Sequence, residues 1–333
     1  MVATSTNGEW TLTGKNIECR PLLASGALPL LVTPTAAGVH WSDAAAEIRA
    51  CVDQQLLSAG GLLFRGFGVR DVEDFRTLAA SFGHPLLSYD FGSTPRSNVT
   101  QGVYTSTEYP AHQSIPLHNE QAYSRQWPMK IWFYCATAAE IGGETPIADS
   151  RDVYRRVPAR IRDRWVERGL CYVRNYGAGL DVPWPQVFGT EDRSEVEAYC
   201  RQHDIAWEWK DDGELRTRQV CQVVAQHPRT QQWVWFNQAH LFHVSALEPE
   251  VREVLLDVVG SEEELPRNVY YGDGSPLEDS LLDEVRGALA ASKIEFPWYS
   301  GDVLMLDNML AAHARNPFQG KRKVVVAMAE AHA

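Results

Sequence analysis

The sequence predicts an α+β, β-rich fold, a closed or double-sheet β core decorated by helices. Three observations carry this. Short β-branched and aromatic runs gather around two chemistry-bearing places, Leu117-His118-Asn119-Glu120 and His313, while helical periodicities lie outside them. With 44% hydrophobic and 22% charged residues, a 333-residue chain can bury a sizeable core. And if residues as distant as His118, Glu120 and His313 meet, one structural unit must span most of the chain. A single domain over 1–333 is therefore expected, with 1–40 as an N-terminal extension and about 175–217 as a lid or insertion between the two places.

Residues 1–40 carry little pattern, although Leu28-Pro29-Leu30-Leu31-Val32 reads as a short edge strand, since proline cannot donate to a ladder. From Ser42, a candidate N-cap, helical spacing of Ile48, Cys51, Val52 and Leu56 runs to a stop at Gly60-Gly61. Leu62-Leu63-Phe64 is a buried strand, and Asp71 to Phe82 a helix with Phe75, Leu78, Ala79 and Phe82 on one face. The polar, irregular stretch 99–116 suits a loop over a site. Met129 to Cys135 reads as a strand, and Gly142-Gly143-Glu144-Thr145-Pro146 as a turn into another. Ser150 to Gly169 is helical with Pro158 dividing it, and Ser194 to His203 is a further helix. Strands return at 218–226 and 232–238. Helices follow at 248–259 and 276–291, the second with Ser275 as N-cap and Pro276 at the first helical position. Two strong strands, 301–308 and 323–328, flank His313.

Thirty-one Lys plus Arg against 43 Asp plus Glu give a formal charge of −12, which opposes broad binding to nucleic acid or an anionic membrane. The N-terminus lacks a basic region followed by an apolar run, and no stretch approaches the length of a membrane span, so a cytoplasmic protein is expected. Six scattered cysteines suggest neither a zinc motif nor a disulfide framework.

In an extended chain, side chains two apart share a face, so His118 and Glu120 can converge on one point. His313 would complete two histidines and one carboxylate, a facial set that holds Fe(II) and leaves positions open. Taken alone, His-x-Glu equally describes a solvated pair on a strand or loop. His240 and His243 form a rival pair at helical spacing, but no carboxylate accompanies them, and Phe236 and Phe242 favour packing. His227-Pro228 and His84-Pro85 read as turn residues.

Arg65-Gly66-Phe67, Leu117-His118-Asn119-Glu120, Gly142-Gly143-Glu144-Thr145-Pro146, Gly301-Asp302-Val303, His313-Ala314-Arg315 and Lys321-Arg322-Lys323 together resemble the TauD/TfdA family of Fe(II)- and 2-oxoglutarate-dependent oxygenases, from about Gly61 to Glu330. Residues 103–110 and 235–243 look most like the SyrP-like branch of the clavaminate synthase-like superfamily, which is associated with amino-acid modification in natural-product pathways. Many family members carry Asp where this chain has Glu120, so the departure lengthens a ligand without removing it.

The resemblance implies a double-stranded β-helix, or jelly roll, with His118, Glu120 and His313 as iron ligands. Arg322 is then the anchor for the far carboxylate of 2-oxoglutarate, Thr145 its hydroxyl partner and Arg315 the alternative anchor. Asn237, Gln238 and Glu108 fall where the family builds its substrate pocket. The implied reaction uses Fe(II), 2-oxoglutarate and O2 to hydroxylate an aliphatic C–H bond of a free or carrier-tethered amino acid or amino-acid-derived small molecule, with succinate and CO2 as coproducts. Desaturation, cyclisation or epoxidation share the same iron site, and a non-catalytic binding jelly roll is the reading from another class. A carrier protein and a homo-oligomer are both admitted as partners. Halogenation is disfavoured, because family halogenases lack the carboxylate ligand that Glu120 supplies.

Overall fold

The computed structural model describes residues 2–3, 10–24, 26–88, 97–107, 109–177, 179–211 and 213–332. Its main sheet has ten strands. At the centre, in spatial order, lie Gly26–Pro34, Gly61–Phe64, Val303–Asp307, Trp127–Thr137 and Lys323–His332. Gly26–Pro34 and Gly61–Phe64 are parallel, and helix Ala45–Ala59 makes the crossover that parallel neighbours require; the other central pairs are antiparallel.

Alternation along Trp127–Thr137 shows why its sequence is apolar almost throughout. Trp132 and Tyr134 face helices Ala45–Ala59 and Val72–Ala80, packing with Ile48, Phe75 and Leu78. Ile131, Phe133 and Cys135 face the opposite way, toward Ile147 and Ala311 of a second sheet. A strand covered on both faces has no polar side to show. That second sheet runs Lys293–Ile294, Ile147–Asp149, Ala311–Arg315, Ile115–His118, and the apolar layer between it and the main sheet is one of the cores.

A third sheet, Ala206–Trp209, Leu215–Cys221, Leu170–Tyr176 and Arg267–Tyr271, draws two strands from the 175–217 region. Its core, with Trp165, Tyr172 and Trp235, is continuous with Leu117 and Ala312 of the second sheet. Two of the sequence motifs are joined structurally: the Arg65 guanidinium grips both oxygens of buried Asp302, at 3.0 Å from Nε and 2.7 Å from Nη2. All six cysteines are buried and free, and no described helix is long and apolar enough to cross a membrane.

Several elements differ from expectation. The strand at Leu28 is internal, lying between Ile17–Leu23 and Gly61–Phe64. Pro29 is tolerated there because the ladder to Ile17–Leu23 shifts register beside it and pairing with Gly61–Phe64 begins only at Leu30, so its missing N–H falls outside both ladders. Ser42 is not an N-cap; its hydroxyl bonds His40 Nδ1 at 2.9 Å and the helix starts at Ala45. The helix expected from Pro276 begins at Asp279, because Pro276 bridges Tyr270 and Leu277 is drawn into the core. Within 99–116, Val103–Thr105 is a strand paired with Lys323–His332. Pro158 divides its helix into Ser150–Arg156 and Ala159–Arg168, and Asp71 caps Val72–Ala80 by accepting from Glu73 N and Asp74 N.

Candidate metal centre

His118 ends strand Ile115–His118, and His313 is its direct partner on Ala311–Arg315. The imidazole centroids are 4.4 Å apart, and Phe133 of the main sheet packs on His313 at 4.8 Å, which seats the pair in the layer between the sheets. Glu120 lies two residues past the His118 position, buried, with Oε2 3.8 Å from His313 Nε2. One ligand atom from each of His118, Glu120 and His313 falls within 4.8 Å of the other two.

The tautomer of His118 is also set. Its Nδ1 lies 2.8 Å from the Pro116 carbonyl, which can only accept, so Nδ1 carries the proton and Nε2 is left with a lone pair for a metal. Two imidazoles and a carboxylate, grouped and oriented in this way, fit Fe(II) in the facial geometry that leaves positions open.

One cavity is lined by both histidines and by Thr145, Arg315, Arg322 and Phe133. Arg322 enters it from the head of the last strand, its Nε donating to the Gly143 carbonyl at 2.9 Å. Burial, and next the neighbouring Arg315 cation, push the Arg322 guanidinium down to about 10, still cationic at neutral pH. Thr145 Oγ1 accepts from Trp298 Nε1 at 2.6 Å, so its own proton is directed elsewhere.

Arg315 is committed differently from Arg322. Its fork donates to the carbonyls of Tyr109 (3.0 Å), Pro110 (2.7 Å) and Gln113 (2.8 Å), pinning the segment that leads into the His118 strand. Among the described residues, every hydrogen bond of the two guanidiniums goes to a backbone carbonyl.

Asn237 and Gln238, expected at the substrate, are not among the residues lining this cavity. Asn237 Nδ2 donates to Val223 O at 2.7 Å and Gln238 Nε2 to Asn119 O at 2.7 Å, both fully inside, each adding a second donor to a carbonyl that already accepts from a backbone N–H, that of Phe236 and of Ala122 respectively. Glu108 lies outside the described residues. His240 and His243 do not converge on a metal: His240 Nε2 donates to Leu117 O at 2.8 Å, and His243 Nδ1 accepts from Ser245 N at 3.1 Å. Burial pushes both imidazoles down to about 4. Trp298 and Asn308 were not singled out from the sequence; the one signal for Asn308 is a polar Asp307-Asn308 pair ending an otherwise apolar strand.

A family model described as "Taurine catabolism dioxygenase TauD, TfdA family" matches residues 26–328. The dapdiamide synthesis protein DdaC of Enterobacter agglomerans is 43% identical over 277 residues, covering 83% of this chain and 84% of that protein. A clavaminate synthase-like protein of Arabidopsis thaliana is 32% identical over 291 residues, 83% of each chain. Among solved structures, PvcB of Pseudomonas aeruginosa shares the fold with a TM-score of 0.56 at 17% identity, over 97% of this chain and 94% of that one.

Proposed function

The chain belongs to the TauD, TfdA dioxygenase family and uses Fe(II) and 2-oxoglutarate, and from that premise we propose that it hydroxylates an aliphatic C–H bond of an amino acid or amino-acid-derived intermediate, free or tethered to a carrier protein. The two facing sheets are read as a double-stranded β-helix, and the chain as one oxygenase domain with residues about 175–217 as an insertion over the site.

The observation that carries this reading is one cavity lined by two unlike pairs, the imidazoles His118 and His313 and the polar side chains Arg322 and Thr145. A short diacid with a 2-oxoacid head matches both. His118, Glu120 and His313 would hold the iron, whose near +1 net charge in that ligand set favours an anionic chelator. Bound there, Fe(II) supplies the oxygen activation that amino-acid side chains lack. The Arg322 fork would take the far carboxylate in a charge-assisted pair, and Thr145, its lone pair occupied by Trp298, would donate its hydroxyl proton to the same group. Burial of Glu120 and His313 keeps bulk water from the reacting end. The balance is one 2-oxoglutarate, one O2 and one C–H bond consumed, with succinate, CO2 and an alcohol formed.

Similarity to a dapdiamide synthesis protein supports an amino-acid-type substrate. Aerobic turnover tests the reading: succinate should form in step with a product heavier by one oxygen, from either the free or the carrier-tethered substrate. A product that has instead lost two hydrogens moves the reaction to desaturation or cyclisation. Absence of O2-dependent succinate with every amino-acid-type substrate overturns the enzymatic reading in favour of a binding protein.

A further inference from the structure

We infer that Asn308 is the positioning residue that delivers Glu120 to the metal, and that the buried pair His227 and Asp307 holds Asn308 in place to do so; this rests on the iron-site reading above. Glu120 lies just beyond the end of strand Ile115–His118, and Gln121 next to it is in the left-handed region at φ 56°. The chain has therefore left its ladder, and the buried backbone polar groups of Glu120 need partners from elsewhere.

Asn308 supplies them both. Its Oδ1 accepts from Glu120 N at 2.8 Å, and its Nδ2 donates to Glu120 O at 2.9 Å and to Pro128 O at 2.9 Å. A carboxamide is the side chain that offers a donor and an acceptor in one plane at this reach, so it stands in for a missing strand neighbour. The neighbouring residue is held reciprocally: Asn119 Nδ2 donates to Asn308 O at 2.6 Å and to Ser150 Oγ at 3.0 Å. Asn308 is wholly inaccessible to solvent and Asn119 nearly so.

What holds Asn308 is the turn after strand Val303–Asp307. Asp307 Oδ1 accepts from Met309 N and Leu310 N, each at 3.0 Å. Its Oδ2 lies 3.1 Å from His227 Nε2. His227 Nδ1 accepts from Arg229 N at 3.2 Å and Thr230 N at 3.1 Å, which obliges Nε2 to carry the proton and donate to Asp307. His227 is completely buried and does not line the metal cavity. The chain of contacts thus runs from His227 through Asp307 and the turn to Asn308, and ends on the backbone of the carboxylate ligand. Glutamate has one more rotatable bond than aspartate, so fixing its backbone counts for more here.

The test is Co(II) titration of the apoprotein, followed by visible absorption, in wild type, His118→Ala, Asn308→Ala and His227→Gln, with the melting temperature of each apoprotein beside it. Asn308→Ala should weaken Co(II) binding by about ten- to a hundredfold, the range typical of residues that orient metal ligands, and alter the saturated Co(II) spectrum. A fold staple unconnected with the metal would lower the melting temperature and leave the affinity of the folded protein within about threefold, which overturns the inference. Should Asn308→Ala fail to fold, His227→Gln decides: about threefold or greater weakening supports the inference, and unchanged affinity overturns it. Wild-type binding no tighter than that of His118→Ala would count instead against the iron-site reading.

Discussion

His118 and His313 come from opposite halves of the chain and are direct cross-strand partners, with their rings 4.4 Å apart. A metal bound between them ties strand Ile115–His118 to Ala311–Arg315 and should stabilise the fold by mass action, about 2.7 kcal/mol at a hundredfold excess over Kd. His118→Ala and His313→Ala should each abolish Fe(II) binding and turnover. They should also abolish the weak visible band formed when a 2-oxoacid chelates ferrous iron, and the melting temperature should no longer respond to metal. Retention of the metal-dependent stabilisation in either variant would count against the site.

Arg322 and Arg315 line the same cavity but should fail differently when removed. Among the described residues, Arg322 makes one hydrogen bond, from Nε to Gly143 O, and it lines the cavity. Arg322→Ala should raise the half-saturating 2-oxoglutarate concentration about thirtyfold or more, the loss of at least about 2 kcal/mol from a charge-assisted pair. Arg315→Ala frees three carbonyls of residues 109–113 and should chiefly accelerate amide exchange in that segment. Equal effects of the two variants on the cosubstrate requirement would assign the anchor to both.

Gly143 is in the left-handed region at φ 73°, and a Cβ there would sit 3.0 Å from Arg322 Cδ and from Phe318 Cβ. Gly143→Ala therefore combines backbone strain of about 1–2 kcal/mol with displacement of the arginine. The expected result is weakened 2-oxoglutarate binding with metal affinity unchanged, separable by titrating Fe(II) before the cosubstrate. A variant with wild-type cosubstrate affinity would show that Arg322 is placed by other contacts.

These residues also mark how far the sequence could be read. His118, Glu120 and His313 stood out because side chains two apart on an extended chain share a face and a second histidine completes a ligand set, and the structure gathers them. Arg322 and Thr145 were legible through their motifs and line the same cavity. Arg315, Asn237, Gln238 and His227 were not legible in their roles, because each serves backbone groups that only the folded topology brings within its reach. His227 followed by Pro228 read as a turn and does open one, but nothing in the sequence signals that its imidazole is fully buried against Asp307. Pro29 did mislead: the rule that proline avoids central strands holds for the ladder position, and a register shift had removed that position from the ladder.

Acid should destabilise the protein through its buried neutral histidines. His243 is pushed down to about 4, first by burial and then by the Arg286 and Arg252 cations, with Asp279 pulling the other way. Its folded value lies below the ordinary 6.5, so between pH 6.5 and 4 the unfolded chain binds the proton that the folded one refuses. Stability is then fully present above pH 6.5 and falls as the pH drops toward 4, by about 2 kcal/mol between pH 7 and pH 5 for this one group. Urea unfolding of the metal-free protein at the two pH values measures the loss, and in His243→Gln the loss should shrink by about that amount. Burial holds His240 at about 4 as well, so the variant should keep part of the acid sensitivity. An identical loss in wild type and His243→Gln would mean that His243 titrates alike in the folded and unfolded chains, and that the acid response belongs to other groups.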